Sequence, residues 1–228
     1  MSSKSRDKSQ VDTFVENTNN KAVNIPDAMD FVTMFEQKLC EFTNAPYCVA
    51  VDCCSHALFM ALKLYKPTEV ICPTHTYVSV PMQILHAGHK LKFKKFSWVG
   101  TYQLDPFNIL DCAVYFRKNM YQKGTIQCLS FQYKKRFYVN RGGAILLDNE
   151  EQYNLLKLMK HDGRDESILY KDIDDIPNLG YHYYMSAESA CAGLLNFDRM
   201  LPSSAKSDKD YRDVSKFSCF AKHKGVIR

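Results

Sequence analysis

The chain has 228 residues, 46% of them hydrophobic and 13% aromatic, with a formal net charge of +5. That is enough apolar material to bury a real core, as one large domain or one domain with an appendage, and it excludes disorder of the whole. No run is apolar for the length of a membrane helix and no signal-peptide pattern opens the chain, so it reads as soluble and cytoplasmic.

A charge of +5 is mild. The stretch Lys90-Leu91-Lys92-Phe93-Lys94-Lys95 alternates lysine with apolar residues, which fits a strand with one solvated face better than a nucleic-acid stripe. Neither nucleic acid nor membrane is expected as a partner, and an anionic small molecule accounts for the excess charge equally well. Nine cysteines sit mostly within apolar runs, and none are spaced CxxC; they read as small hydrophobes, and no metal site is expected.

In chain order, residues 1–20 are polar and read as a mobile tail. From Ala28 to Phe42, Phe31, Val32, Phe35, Leu39 and Phe42 recur at helical spacing. Tyr47–Val51 is a strand, Ser55–Tyr65 a helix, Glu69–Pro73 a strand, Val78–Ala87 a helix ending at Gly88, and Leu91–Phe96 a strand. Further strands are expected at Asn108–Val114, Thr125–Phe131 and Gly143–Leu147, with helices at Asn149–His161 and Ser186–Met200. Beyond Leu201 the chain turns polar, and little order is expected past one short element. The domain reading is a tail (1–20), an α/β domain (21–200) and a short C-terminal extension (201–228). Strands alternating with helices predict a mostly parallel sheet with helices on both faces.

In such a sheet, ligands bind beyond the carboxyl ends of the strands. Four positions there carry candidate chemistry. Ser55, with N–H groups around His56 and Ala57 at a helix start, is suited to a phosphate; a plain N-cap serine is the alternative. Tyr77, in Thr74-His75-Thr76-Tyr77, is placed to stack on a flat ring or to fill core. Asp111, closing an apolar strand, either pairs with a cation such as a protonated ring nitrogen or is an exposed strand-end carboxylate. Ser130, followed by Lys134 and Lys135 and by Gly142-Gly143, combines an anion anchor with an amine, and spacing alone does not choose between the two lysines.

The order of these pieces resembles the DegT/DnrJ/EryC1/StrS family of sugar aminotransferases, which use pyridoxal 5'-phosphate and have the type I fold. The matching segments are Cys54-Ser55-His56-Ala57-Leu58, Pro73-Thr74-His75-Thr76-Tyr77, Asp111-Cys112-Ala113-Val114, Ser130 to Lys135, Asn140-Arg141-Gly142-Gly143, Asp162-Gly163-Arg164 and Gly180 to Met185, covering Val23 to Met200. The resemblance implies a type I PLP-dependent transferase-like large domain, with Lys135 as the lysine bonded to the cofactor. It implies that Ser55, the His56 and Ala57 amides and Ser130 hold the phosphate. Tyr77 would face the ring and Asp111 would pair with its nitrogen. His182 takes the place of the asparagine that reaches the partner subunit's phosphate in a homodimer. The implied reaction moves an amine from a donor such as glutamate to a nucleotide-linked keto sugar.

Several positions depart from the pattern. Cys54 replaces the turn glycine, Val114 the residue that bonds the ring hydroxyl, Arg141 the glutamate of G-E-G-G, and His182 the asparagine. The few residues between Pro106 and Asp111 leave no room for the strand and helix the family has there, and a complete small domain is not expected after Met200. These departures favour a second reading, a catalytically degenerate relative with a binding or interaction role. Retention of Asp111 and Lys135 favours the enzyme, and a related cofactor-dependent sugar dehydratase is a third reading that Lys135 argues against.

Overall fold

The computed structural model describes residues 28–200 and 205–223; the expected tail lies outside them. The elements are α1 (Ala28–Thr43), β1 (Tyr47–Val51), α2 (Cys54–Lys63), β2 (Glu69–Pro73), α3 (Ser79–His86), β3 (Lys90–Lys94), β4 (Tyr102–Gln103), β5 (Ile109–Asp111), β6 (Ile126–Ser130), β7 (Gly143–Leu147), α4 (Glu150–Lys160) and α5 (Ala187–Asn196), with short 3-10 turns after α5. Among the described residues no helix is long and apolar enough to cross a membrane.

The main sheet has the order β1-β7-β6-β5-β4, and β2 and β3 form a separate parallel pair. The sheet is mixed where a mostly parallel one was expected. β5 and β6 are parallel, but β7 runs antiparallel to both β1 and β6, and β4 antiparallel to β5. The reason is connection length and content. No helix intervenes between β6 and β7 or between β4 and β5, and parallel neighbours need a crossover of a dozen or more residues, usually helical.

Helices cover both faces, as expected, and the strands sort their side chains between them with period two. Val49, Val51, Ile145 and Leu147 join a cluster with α2, α3 and the β2–β3 pair. Cys48, Ala50, Ala144 and Leu146 join another with Val32, Phe35 and Leu39 of α1 and Ala190 of α5. A Cβ on Gly193 would lie 2.5 Å from the Phe35 ring, so α5 can approach α1 this closely only with glycine there. Phe35 also meets Phe131 edge-on and Phe137 face-on, at 5.6 and 6.1 Å.

One charged cluster is built into this packing. Lys160 is fully buried, and it pairs with Glu36 at 3.2 Å and Glu166 at 3.4 Å. Glu36 also accepts the Ala50 N–H at 2.7 Å. The cluster ties α1 and α4 to β1, and removing one partner would leave an uncompensated charge in the interior.

Within the C-terminal extension, residues 205–223 hold more structure than the one short element expected. Residues 208–210, 214–216 and 218–223 form 3-10 turns, Val214 and Phe220 are buried, and Phe220 meets Phe93 of β3 edge-on at 5.6 Å. The Val214 N–H donates to the Thr74 carbonyl at 2.8 Å, and the Gly100 N–H to the Lys206 carbonyl at 2.7 Å. A polar composition hid two apolar anchors that are enough to seat the segment.

Candidate active site

β1, β5 and β6 run in one direction, so their carboxyl ends, Val51, Asp111 and Ser130, share one edge of the sheet with the first residues of β4 and β7. α2 begins directly over this edge. A Cβ on Gly143 would lie 2.5 Å from the Cys53 carbonyl carbon and the Cys54 nitrogen. Only glycine lets the strand and the helix start come this close, and Ser130 is its partner in the β6–β7 ladder.

α2 has Cys53 at its N-cap with no side-chain cap, so its first amides have no intrahelical acceptor. The amides of Ser55 and His56 are among them. The amide of Ala57 is not, contrary to expectation, because it donates to the Cys53 carbonyl at 3.0 Å and closes the first helical turn. Ser55 Oγ donates to Ser79 Oγ at 2.8 Å, which joins the starts of α2 and α3. Ser79 was not singled out from the sequence, although it opens a helix just after Tyr77.

Asp111 is buried. Its Oδ2 accepts from Tyr102 Oη at 2.5 Å and its Oδ1 from the Ala113 N–H at 2.9 Å. Burial pushes its carboxyl above the usual range, opposed by the Tyr102 and Ala113 hydrogen bonds and by the Lys135 charge. Lys135 is half-buried. Burial lowers its ammonium, and the Cys54 and Asp111 charges oppose that shift. Lys134 is exposed and lies over the Tyr133 ring at 5.4 Å. The structure thus separates two lysines that adjacency in the sequence left equivalent. Tyr77 presents a ring that is 60% exposed.

At the same edge stands a network that sequence reading missed. His56 Nδ1 bonds Asp52 Oδ1 at 2.6 Å, and Arg141 Nη2 bonds Asp52 Oδ2 at 2.6 Å. The His56 ring stacks on Tyr183 at 3.6 Å, and Tyr183 stacks on Tyr181 at 5.3 Å. Burial works against the charged imidazole, but the hydrogen bond to Asp52, aided by Cys53, lifts His56 to about 9. A carboxylate, a thiol and an imidazole, those of Asp52, Cys53 and His56, therefore lie within 4.8 Å of one another, organised as an ion pair. Arg141, where the resembled pattern has an acid, supplies the second cation.

His182 does not join this group. Its side chain is 69% exposed and pairs with Asp162 at 3.0 Å, and Tyr184 meets it edge-on at 4.7 Å. It projects from the crossing of two chain segments, where a Cβ on Gly180 would lie 1.7 Å from the Gly163 nitrogen and Gly163 has φ +83. Val114 is half-buried against the core.

Comparison with known proteins agrees with this architecture. The structure is similar to AtS13 from Actinomadura melliaura, with a TM-score of 0.72 and 17% identity over 85% of this chain and 81% of that one. It is similar to the sugar aminotransferase CalS13 from Micromonospora echinospora, with a TM-score of 0.66 and 18% identity over 86% of this chain and 66% of that one. It is also similar to DesI, solved in the presence of its TDP-sugar product, with a TM-score of 0.59 and 16% identity over 83% of this chain and 57% of that one. The chain thus spans less than two thirds of the length of the latter two. A sequence search of curated proteins found no match. The model of the DegT/DnrJ/EryC1/StrS aminotransferase family matches residues 26–110 and 112–212, a span that takes in the matching motifs with the single exception of Asp111 itself, and the chain belongs to that family.

Proposed function

We propose that the chain is a pyridoxal 5'-phosphate-dependent aminotransferase that moves an amine from an amino acid such as glutamate to a nucleotide-linked keto sugar. The observation that carries the proposal is the pairing at the sheet edge: Lys135 is half-buried within the field of a buried carboxylate, Asp111, while Lys134 faces solvent. The surroundings fit the cofactor. Asp111 is a buried acid suited to a ring N–H, the start of α2 offers the Ser55 and His56 amides, the Ser55 and Ser130 hydroxyls lie beside it, and glycine at 143 keeps the cradle open. Tyr77 has a free ring face to cover the cofactor.

Bound there, the cofactor supplies an aldehyde for the amine and a ring that withdraws electrons. The chain supplies the rest. The helix start and the two hydroxyls would orient the phosphate, Asp111 would favour the protonated ring nitrogen, and Lys135 Nζ would move the α-proton of the amino donor to the carbon that takes up the amine, then run that transfer in reverse onto the sugar carbon in the second half-reaction. Burial aids this by disfavouring the ammonium form of Lys135. DesI was solved with a TDP-sugar product, which supports a nucleotide-linked sugar as substrate class. A homodimer in the cytoplasm completes the reading, with the exposed His182 reaching toward the partner's phosphate; exposed Ile168, Leu169, Tyr170 and Leu179 support association.

The test is the visible absorbance of bound cofactor. Lys135→Ala is expected to abolish the band and Lys134→Ala to keep it; the reverse would overturn the assignment. Added glutamate is expected to shift the band of the wild-type chain. A bound cofactor whose band does not respond would favour the non-catalytic reading, to which Arg141, tied to Asp52, lends support.

A further inference from the structure

We propose that Tyr102, backed by Thr76, is a positioning residue that holds the Asp111 carboxylate anionic and fixed in orientation. The inference rests on the reading above for the identity of the ring that Asp111 meets. β4 and β5 are joined by the tight turn 104–108, in which the Leu104 N–H donates to the Ile109 carbonyl at 2.9 Å. This register sets Tyr102 directly opposite Asp111. The Tyr102 hydroxyl proton is given to Asp111 Oδ2 at 2.5 Å, so the hydroxyl of Thr76, which contacts Tyr102 Oη, is the donor to that oxygen. Trp98 packs on the Tyr102 ring at 4.9 Å, and its indole N–H donates to the His75 carbonyl at 2.9 Å, so the ring is braced from behind.

Thr76, Tyr102 and Asp111 are 3%, 7% and 6% exposed. A carboxylate so far from water stays charged only if its oxygens are bonded. A phenol donating to a carboxylate is a charge-assisted bond, and a hydroxyl behind it strengthens it cooperatively. Each Asp111 oxygen still has a lone pair free for a ring N–H. The other groups facing Asp111 do not substitute. The thiols of Cys54, Cys72, Cys112 and Cys128 and the Tyr211 phenol are pushed up by burial and by the Asp111 charge and stay neutral. The cation facing it is Lys135, whose ammonium burial disfavours. Of the influences that oppose burial at Asp111, the Tyr102 hydrogen bond is the largest.

The decisive measurement is a pH titration of the Asp111 carboxyl carbon by NMR in the full chain without added cofactor, with Asp111→Asn to assign the signal. Tyr102→Phe is expected to raise the midpoint by about one pH unit or more. Thr76→Val, which leaves the ring in place, is expected to raise it by a smaller amount. An unchanged midpoint in both overturns the proposal, and if Tyr102→Phe does not fold, the Thr76→Val titration decides alone. In a second arm, Tyr102→Phe with a wild-type circular-dichroism spectrum is expected to bind pyridoxal phosphate roughly tenfold more weakly; equal affinity and an equal visible band across pH would count against the proposal. Should the wild-type chain take up no pyridoxal phosphate, the proposed function falls, and the carboxyl titration still settles what Tyr102 does.

Discussion

His56 shows how one side chain couples charge to stability at this edge. Its pKa is raised to about 9 by Asp52, from an ordinary value near 6.5 in the unfolded chain. The contribution is therefore complete below about pH 6.5 and is lost as the pH rises through about 9. Asp52 is held below its ordinary range despite burial, by His56 and then Arg141, so its contribution is present above that range and is lost toward acid. Together they give the network its full strength in mild acid, above the ordinary carboxylate range and below about pH 6.5, with a progressive loss above that. His56 is worth on the order of 2 kcal/mol there. The melting temperature of the wild-type chain is expected to fall between pH 7 and 10, and His56→Ala should flatten that fall; an equal slope in both would show that the pair contributes nothing. Environments were legible in the sequence where they follow from a residue's own strand, as with Asp111, which closes an apolar strand and is buried. They were not legible where a role depends on a partner distant in the chain. Asp52 and Arg141 are 89 positions apart, and nothing local announces their bond.

At the scale of elements, the site depends on how closely α2 starts over β7. Gly143 allows that approach, and its neighbours there are backbone atoms of Cys53 and Cys54, which cannot rotate away. Gly143→Ala is expected to destabilise the chain by roughly 1–3 kcal/mol through overpacking, measured by urea unfolding, and to weaken phosphate binding at the displaced helix start. A wild-type midpoint and affinity would contradict that geometry. The Gly-Gly pair and the strand that follows were readable, because β7 begins at Gly143 as the pattern predicted. The direction of β7 was not, since periodicity reports which residues are buried and says nothing of which way a strand runs. β4 escaped notice for a related reason: two residues are too few to show any period, yet they bring Tyr102 to Asp111.

At the scale of the whole molecule, residues 205–223 are an integral part of the fold. Phe220 fills a place between the C-terminal turns and β3, and Phe220→Ala is expected to cost roughly 3–5 kcal/mol, seen as a lowered melting temperature. The Val214 N–H meanwhile holds the Thr74 carbonyl, so the same variant should also loosen the turn that carries Thr76 and Tyr77. A melting temperature within a degree of wild type would show that the segment only rests on the surface. The pairing of β1 with β7, Tyr47 opposite Leu147 and Val51 opposite Gly143, bears on how the molecule is made. During synthesis β1 and α2 emerge long before their strand partner, and closing so large a loop makes the pairing slow. A nascent chain arrested before Gly143 leaves β1 without the strand it pairs with, so it is at this stage of synthesis that the molecule most needs protection from edge-to-edge aggregation.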